Sequence, residues 1–240
     1  MTIYAIGDIH GHLDKLRAAH DAVEADRARE GTGAAPLVHV GDLVDRGPDS
    51  AGVVEYLRTT AAEDPRLVIL KGNHDAMFVE FLASRPGRWS DSRYVGDNIG
   101  GRATLASYGI DATTSARRLH DDAIAAVPEA HRVFLSGLPL THLAGDCLFV
   151  HAGIRPGVPL EEQDEADLIW IRDRFLLDPG DHGPLVVHGH TPVVSVEHHG
   201  NRLAIDTGAA WDGPVTAVAI EGRDAFVLTE EGRVPVARLR

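Results

Sequence analysis

The chain has 240 residues, 36 acidic against 23 basic side chains for a formal charge of −13, 14 histidines and a single cysteine, Cys147. That length supports one sizeable core, the acidity speaks against a protein that draws its affinity from neutralised nucleic-acid phosphates, and one cysteine permits neither an internal disulfide nor a thiolate zinc cluster. No apolar run nears the roughly 18 residues that span a bilayer, and MTIYAIGDIHG reaches Asp8 and His10 too soon for a signal peptide, so the expected setting is the cytoplasm.

Taken in chain order, TIYAIG (2–7), PLVHVG (36–41) and RLVILKG (66–72) are short apolar runs that each stop at Gly followed by a polar residue, the pattern of buried strands feeding functional loops. Between them, Leu13, Leu16, Ala19 and Val23, then Val53, Val54, Leu57 and Ala61, recur at helical spacing. The first third is therefore expected to be β-α-β-α-β, with parallel strands and right-handed crossovers. The stretch 80–146 is the least regular, with Gly, Pro, Trp89 and charges before further helical segments, and is expected to be an insertion that shapes a substrate cleft within one domain spanning 1–240. DCLFVHAG (146–153) and PLVVHGH (184–190) supply two more buried runs. The C-terminal segments NRLAIDTG, VTAVAIEG, AFVLTEEG and RVPVARLR alternate between turn residues and predict an antiparallel meander closing a second sheet.

Ligands in open α/β sheets gather at the carboxyl ends of strands. The residues that follow the five apolar runs are Asp8 and His10, Asp42, Asn73 and His74, His151, and His190, all oxygen or nitrogen ligand types. Each has an ordinary explanation taken alone: a strand-terminal Asp caps helices, an Asn in a Gly-Asn pair makes turns, a lone His is commonly a hydrogen-bonded core residue. Their occurrence at every strand end is what points to a metal site. Carboxylate, imidazole and amide donors without thiolate suit Mn, Fe or Zn, and six donors exceed what one tetrahedral ion needs. Two divalent ions sharing a carboxylate fit better, and such pairs serve phosphoryl transfer.

GDIHG (7–11), GDLVDRG (41–47), GNHD (72–75), HAG (151–153) and GHT (189–191) resemble, in this order, the signature of the calcineurin-like metallophosphoesterases, and in particular the bacterial and phage serine/threonine phosphatases of the phosphoprotein phosphatase family. The resemblance implies a two-sheet β-sandwich flanked by helices in an α/β/β/α arrangement. It implies that Asp8 and His10 bind a first metal, that Asp42 bridges, and that Asn73, His151 and His190 hold the second, the pair being manganese, with iron or zinc as alternatives. His74 becomes the general acid oriented by Asp45, while Arg46 and Arg172, the latter in WIR at 170–172, clamp the phosphate together with Asn73 and His74. The implied reaction is direct in-line attack on phosphorus by a hydroxide that the two metals activate, with no phosphoenzyme. The substrate expected is phosphoserine or phosphothreonine in a protein, or a small phosphoester. GNHD in place of GNHE and HAG in place of HGG resemble the dinucleoside tetraphosphate hydrolases as well, whereas the aspartate of DRG (45–47) favours the protein phosphatases. A nucleotide hydrolase is therefore the alternative, and a metal-stabilised phosphoprotein-binding module without turnover a more distant one, since His74 and Asp45 are both kept.

Other residues are ambiguous on sequence alone. His188 shares a strand face with His190 and is either a further ligand or a support behind one, while Asp206 is placed either beside a ligand histidine or in a turn. Arg102 reads as solvated more than substrate-binding, and the Gly100–Gly101 pair as a turn more than an anion nest. Asp49 and Ser50 are expected to cap a helix after Pro48. Trp89 and Tyr94 read as packing, His198 and His199 as hairpin residues, and Cys147 as buried and inert.

Overall fold

In the computed structural model, which describes residues 1–84, 93–96 and 98–239, the run TIYAI forms β1 (Thr2–Ile6), buried along its whole length. The helix α1 (Leu13–Glu30) leads to β2 (Leu37–His39), and α2 (Ser50–Glu63) leads to β3 (Leu67–Ile69). All three strands are parallel, with Tyr4 opposite Leu37 and Leu37 opposite Leu67. Gly31 closes α1 at φ 68, and at the start of α2 the Asp49 carboxylate accepts the Gly52 N–H at 2.8 Å, the cap expected of Asp49.

A six-stranded sheet has the order β11-β10-β9-β1-β2-β3, where β9 is Ala217–Glu221, β10 Asp224–Thr229 and β11 Gly232–Pro235. The second, five-stranded sheet has the order β4-β5-β6-β8-β7, built from β4 (Thr141–Ala144), β5 (Cys147–Val150), β6 (Leu185–His188), β7 (Glu197–His198) and β8 (Arg202–Ala204). The C-terminal segments thus part company. The last three do form an antiparallel meander, but they extend the first sheet, because β9 pairs with the edge of β1 that β2 leaves open, Tyr4 opposite Ala219. NRLAIDTG instead supplies β8, parallel to β6 in the second sheet.

Side chains alternate across both sheets. Ile3, Ala5, Val38, Phe149, Val187 and Leu203 fill the space between the sheets. Tyr4, Ile6 and Leu37 face the other way, onto a core shared with Leu16, Val53 and Leu57 of the first two helices. On the far side, Leu148, Val150 and Val186 pack against Leu168, Ile169 and Phe175 of α7 (Glu165–Trp170) and α8 (Asp173–Leu176), elements numbered after the three helices below. Central strands with two buried faces explain why TIYAI and LVVH are continuous apolar runs and not alternating ones. The architecture is two packed sheets flanked by helices on both sides.

Within 80–146, α3 (Asn73–Ala83) ends, and α4 (Gly101–Ser107), α5 (Ala116–Ala126) and α6 (Glu129–Ser136) follow before β4. These helices pack on α2 and α3. Trp89 lies outside the described residues. No helix among the described residues is long and apolar enough to cross a membrane.

Candidate metal centre

The loops after β1 and β2 are joined backbone to backbone. The N–H groups of Ile9 and His10 both donate to the Asp42 carbonyl, at 3.0 and 2.9 Å, and Gly11 N–H donates to the Leu43 carbonyl. The helix α3 starts at Asn73, and the His74 N–H at its first turn donates to Asp42 Oδ1 at 2.9 Å, so the positive end of that helix faces the carboxylate. On the opposite sheet, His190 directs its N–H to Asp8, 3.1 Å from Oδ2. Loops from both sheets therefore meet at one point, and the approach is so close that side chains are excluded. A Cβ on Gly72 would stand 2.2 Å from Asp42 Oδ1, and one on Gly189 would stand 1.9 Å from Asp8 Oδ1.

The backbone is strained at the same place. His10, Asp42, Asp45, Arg46 and His190 all have positive φ, from 46° to 73°, and the remaining non-glycine case among the described residues is Asp212. Each such residue costs on the order of 1–3 kcal/mol and persists where surrounding structure enforces it.

Two groups of side chains bring their donor atoms within 4.8 Å of one another: His10, Asp42 and His74, and Asp42, His151 and His190. Asp42 belongs to both. The histidine tautomers test whether a cation fits. His151 Nδ1 donates to the Val40 carbonyl at 2.9 Å, which leaves Nε2 as a lone pair, yet Nε2 lies 2.9 Å from Asn73 Oδ1 and 3.3 Å from Asp42 Oδ1. His10 repeats the arrangement, with Nδ1 on the Val44 carbonyl at 3.0 Å and Nε2 3.6 Å from Asp42 Oδ2. Burial lowers the pKa of both rings, that of His10 to about 3, so neither is expected to relieve the conflict by protonation. Lone pairs aimed at oxygens from two sides are what a divalent cation satisfies. His190 completes the set, with Nδ1 2.8 Å from Asn73 Oδ1 and a buried Nε2 that has no hydrogen-bond partner among the described residues. The residues present fit a pair of divalent ions around Asp42.

Burial alone would raise the Asp42 pKa, but the rings of His151, His74, His10 and His190 hold it well below the ordinary carboxylate range. Asp8 moves the other way: burial, then the charges of Asp206 and Asp42, raise it. Asp8 stands outside both three-residue groups, and its direct side-chain neighbour is Asp206. Asp206, which the sequence left between a turn and a histidine support, is thus set against a carboxylate. Its Oδ1 also accepts the Gly208 N–H, so the turn is real as well.

His74 Nδ1 lies 2.7 Å from Asp45 Oδ2. The second Asp45 oxygen accepts from the Tyr94 hydroxyl at 2.6 Å and the Thr104 hydroxyl at 2.7 Å, while the Asp45 N–H donates to Thr104 and Ser50 hydroxyl oxygens. Burial opposes a charge on His74, but the Asp42 and Asp45 carboxylates outweigh it and raise its pKa. Tyr94 is therefore more than packing, although its ring does stack on Phe78 and Phe81. Ser50 serves Asp45 and leaves the cap to Asp49.

Arg46, Arg172, Asn73 and His74 line one cleft of about 120 Å³, with Trp170 and Trp211 among its walls. A wider groove of about 410 Å³ runs on from Asn73 and Trp170 past Met77 to Glu80 and Glu165. The ambiguous residues fall elsewhere. His188 ends β6 on the outer face, its ring edge-on to Phe175, because the positive φ of His190 turns that residue out of the strand alternation that would have aligned the two. Arg102 is neither solvated nor at the cleft: its guanidinium donates to the Val95 and Ala112 carbonyls. Gly100 accepts the Arg46 N–H on its carbonyl and opens α4 at φ 89, so it backs the loop. Asp75, the residue that departs from GNHE, receives the N–H groups of Gly72 and Leu43 at 2.8 and 2.9 Å, and burial together with Asp42 lifts its pKa to about 7. His198 is buried in β7, and Cys147 is buried, its thiol pushed up to about 11 by burial.

Thr104 and Trp211 carry no sequence signal, since neither follows a buried strand run nor sits in a motif; Tyr94 reads only as packing, and Trp170 stands in WIR, where the motif points to Arg172. Comparison with known proteins agrees with the geometry. The chain is 25% identical to a symmetrical bis(5'-nucleosyl)-tetraphosphatase of Aromatoleum aromaticum, over 94% of this chain and 96% of that protein. It is 29% identical to serine/threonine-protein phosphatase 1 of Salmonella typhimurium, over 91% and 92%. The crystal structure of a cold-active protein-tyrosine phosphatase from a psychrophilic Shewanella superposes with a TM-score of 0.63 at 17% identity, covering 98% of this chain and 80% of that one, which is a likeness of fold. The model of the calcineurin-like phosphoesterase family matches residues 1–218, and with this fold and these converging ligands the chain belongs to the calcineurin-like phosphoesterases.

Proposed function

We propose that this phosphoesterase is a cytoplasmic phosphoprotein phosphatase that hydrolyses phosphoserine and phosphothreonine. Asp8, His10, Asp42, Asn73, His151 and His190 would hold two divalent ions, manganese in this proposal. Such ions, when bound, lower the pKa of a water and stabilise developing charge on oxygen. The chain's own groups do the rest. Arg46 and Arg172 face the cleft from which a phosphoryl group would be bound, and forked guanidinium donors match its oxygens. His74 delivers a proton to the leaving oxygen, and Asp45 keeps the ring oriented and charged.

The observation that carries the substrate class is the His74–Asp45 pair at 2.7 Å. A serine or threonine alkoxide is a poor leaving group and gains most from a positioned, protonated acid. A phenolate or a nucleoside phosphate leaves with far less help. An Asp held by Tyr94, Thr104 and Ser50, whose function is to keep one imidazole protonated, matches the harder substrate. The similarity to the Salmonella protein-serine/threonine phosphatase supports the same choice.

A second reading, hydrolysis of dinucleoside polyphosphates, is favoured by Trp170 and Trp211, which are 38% and 63% exposed at the cleft and could stack bases, and by similarity to the tetraphosphatases. The test is one rate comparison on metal-loaded protein with a phosphoserine peptide, a phosphotyrosine peptide and diadenosine tetraphosphate. The phosphoserine peptide is expected to give the highest kcat/KM; a clear lead for the dinucleotide would transfer the assignment to the second reading.

A further inference from the structure

Arg46 is held in an unusual way. Its backbone is pinned at φ 71, with its N–H on the Gly100 carbonyl at 3.2 Å. Its guanidinium, by contrast, has a buried Nε without a hydrogen-bond partner among the described residues. The nearby polar side chain is His74, whose Nε2 lies 3.4 Å from Nη2. What the guanidinium does rest on is the Trp211 ring, 4.4 Å from its centroid.

Trp211 is 63% exposed, so core packing does not account for it. It is presented by a built turn. Gly208 and Asp212 both take positive φ, 82° and 67°, on either side of the 3-10 helix Ala209–Trp211. The N–H groups of Trp211 and Gly213 both donate to the Gly208 carbonyl, at 2.8 and 2.9 Å, and Lys15 Nζ caps the Gly213 carbonyl at 3.0 Å. An indole face is the strongest of the aromatic partners for a guanidinium. Among the described residues no carboxylate pairs with this guanidinium, and the π face steadies it without competing for the donors that phosphate would take.

We infer that Trp211 is a positioning residue, which holds the Arg46 guanidinium in register for phosphoryl oxygens. The inference rests on the phosphate-binding role proposed above for Arg46, and it would hold for any phosphoester substrate.

The test is calorimetric titration of metal-loaded protein with inorganic phosphate, in the wild type, Trp211→Ala, Trp211→Phe, Arg46→Ala and the double variant Arg46→Ala/Trp211→Ala. Losing a cation–π contact should weaken phosphate binding about 3- to 30-fold in Trp211→Ala, and Trp211→Phe should recover most of that. Arg46→Ala should weaken it further, and the double variant should match Arg46→Ala alone, since Trp211 then has nothing to position. Far-ultraviolet circular dichroism checks that each variant is folded. Unchanged phosphate affinity in Trp211→Ala, or losses that simply add in the double variant, overturns the inference; the former combined with a raised KM for a dinucleoside polyphosphate alone would make Trp211 a base platform. A wild type that binds no phosphate also overturns it. Phosphate binding with the expected pattern but no turnover would sink the proposed function and leave the inference standing.

Discussion

His74 Nδ1 sits 2.7 Å from Asp45 Oδ2, and Asp45 is itself completely buried, its other oxygen held by the hydroxyls of Tyr94 and Thr104, which the motif sequence does not contain. Asp45 is therefore anchored on the side away from His74, and the imidazole has one orientation available. Replacing His74 by Asn should reduce turnover of a phosphoserine peptide by roughly 10²–10⁴, the usual contribution of a general acid, while elemental analysis still finds both metals. Asp45→Asn should follow the same direction, with a smaller loss on p-nitrophenyl phosphate, whose phenolate leaves more easily. Equal losses on both substrates would argue against proton delivery as the role of the pair.

Tyr94→Phe removes one hydroxyl from a buried carboxylate without changing the ring that stacks on Phe78 and Phe81. Hydrogen bonds to charged groups contribute about 1.5–3 kcal/mol, and a loss of that size is expected in denaturant unfolding. Thr104→Val, which deletes a second donor to the same oxygen, should be comparable, and the two together should be non-additive because they share one acceptor. Strict additivity would show that Asp45 does not couple them.

Metal removal should abolish activity and also lower the unfolding temperature, since ions that bind only the folded chain stabilise it by mass action and screen Asp8, Asp206 and Asp42 from one another. Asp42→Asn should lose metal occupancy, because Asp42 belongs to both ligand groups. Full activity after exhaustive chelation would refute the metal assignment.

Gly189→Ala places a methyl 1.9 Å from Asp8 Oδ1, too near for either atom to stay. Metal content measured by mass spectrometry should fall in a folded protein, and a variant with wild-type occupancy would mean that Asp8 can move without consequence.

A separate pH dependence should arise from two histidines outside the motifs. His20 Nε2 and His39 Nε2 are 3.0 Å apart and buried, with Tyr56 on the other His20 nitrogen. Burial lowers the pKa of both, that of His20 to about 4. At His20 the unfolded chain therefore binds a proton near pH 6.5 that the folded chain refuses until about pH 4, and His39 moves in the same direction. The His20 contribution to stability is complete above about pH 6.5 and is lost as pH falls toward 4, on the order of 3 kcal/mol, and His39 adds to it in the same direction. His39→Leu should flatten that part of the thermal unfolding profile relative to the wild type; an unaltered slope would show that the pair titrates without cost.

The sequence by itself determined the parallel β-α-β-α-β start, the order of the ligand-bearing strand ends, and the family, because strand runs that stop at Gly and a polar residue are local patterns and metal chemistry restricts which polar residues can follow. Asp42, Asp45 and Arg46 share the one motif GDLVDRG, and the structure shows positive φ at all three. Tertiary structure decided what no local pattern encodes. The antiparallel meander joins the first sheet because the free edge of β1 is available only after folding. His188 and His190 part because one positive φ breaks the alternation between them. Tyr94, Thr104 and Trp211 reach Asp45 and Arg46 across 49, 59 and 165 positions of chain, and such contacts depend on how separate elements pack, so their sequence surroundings carry no trace of them.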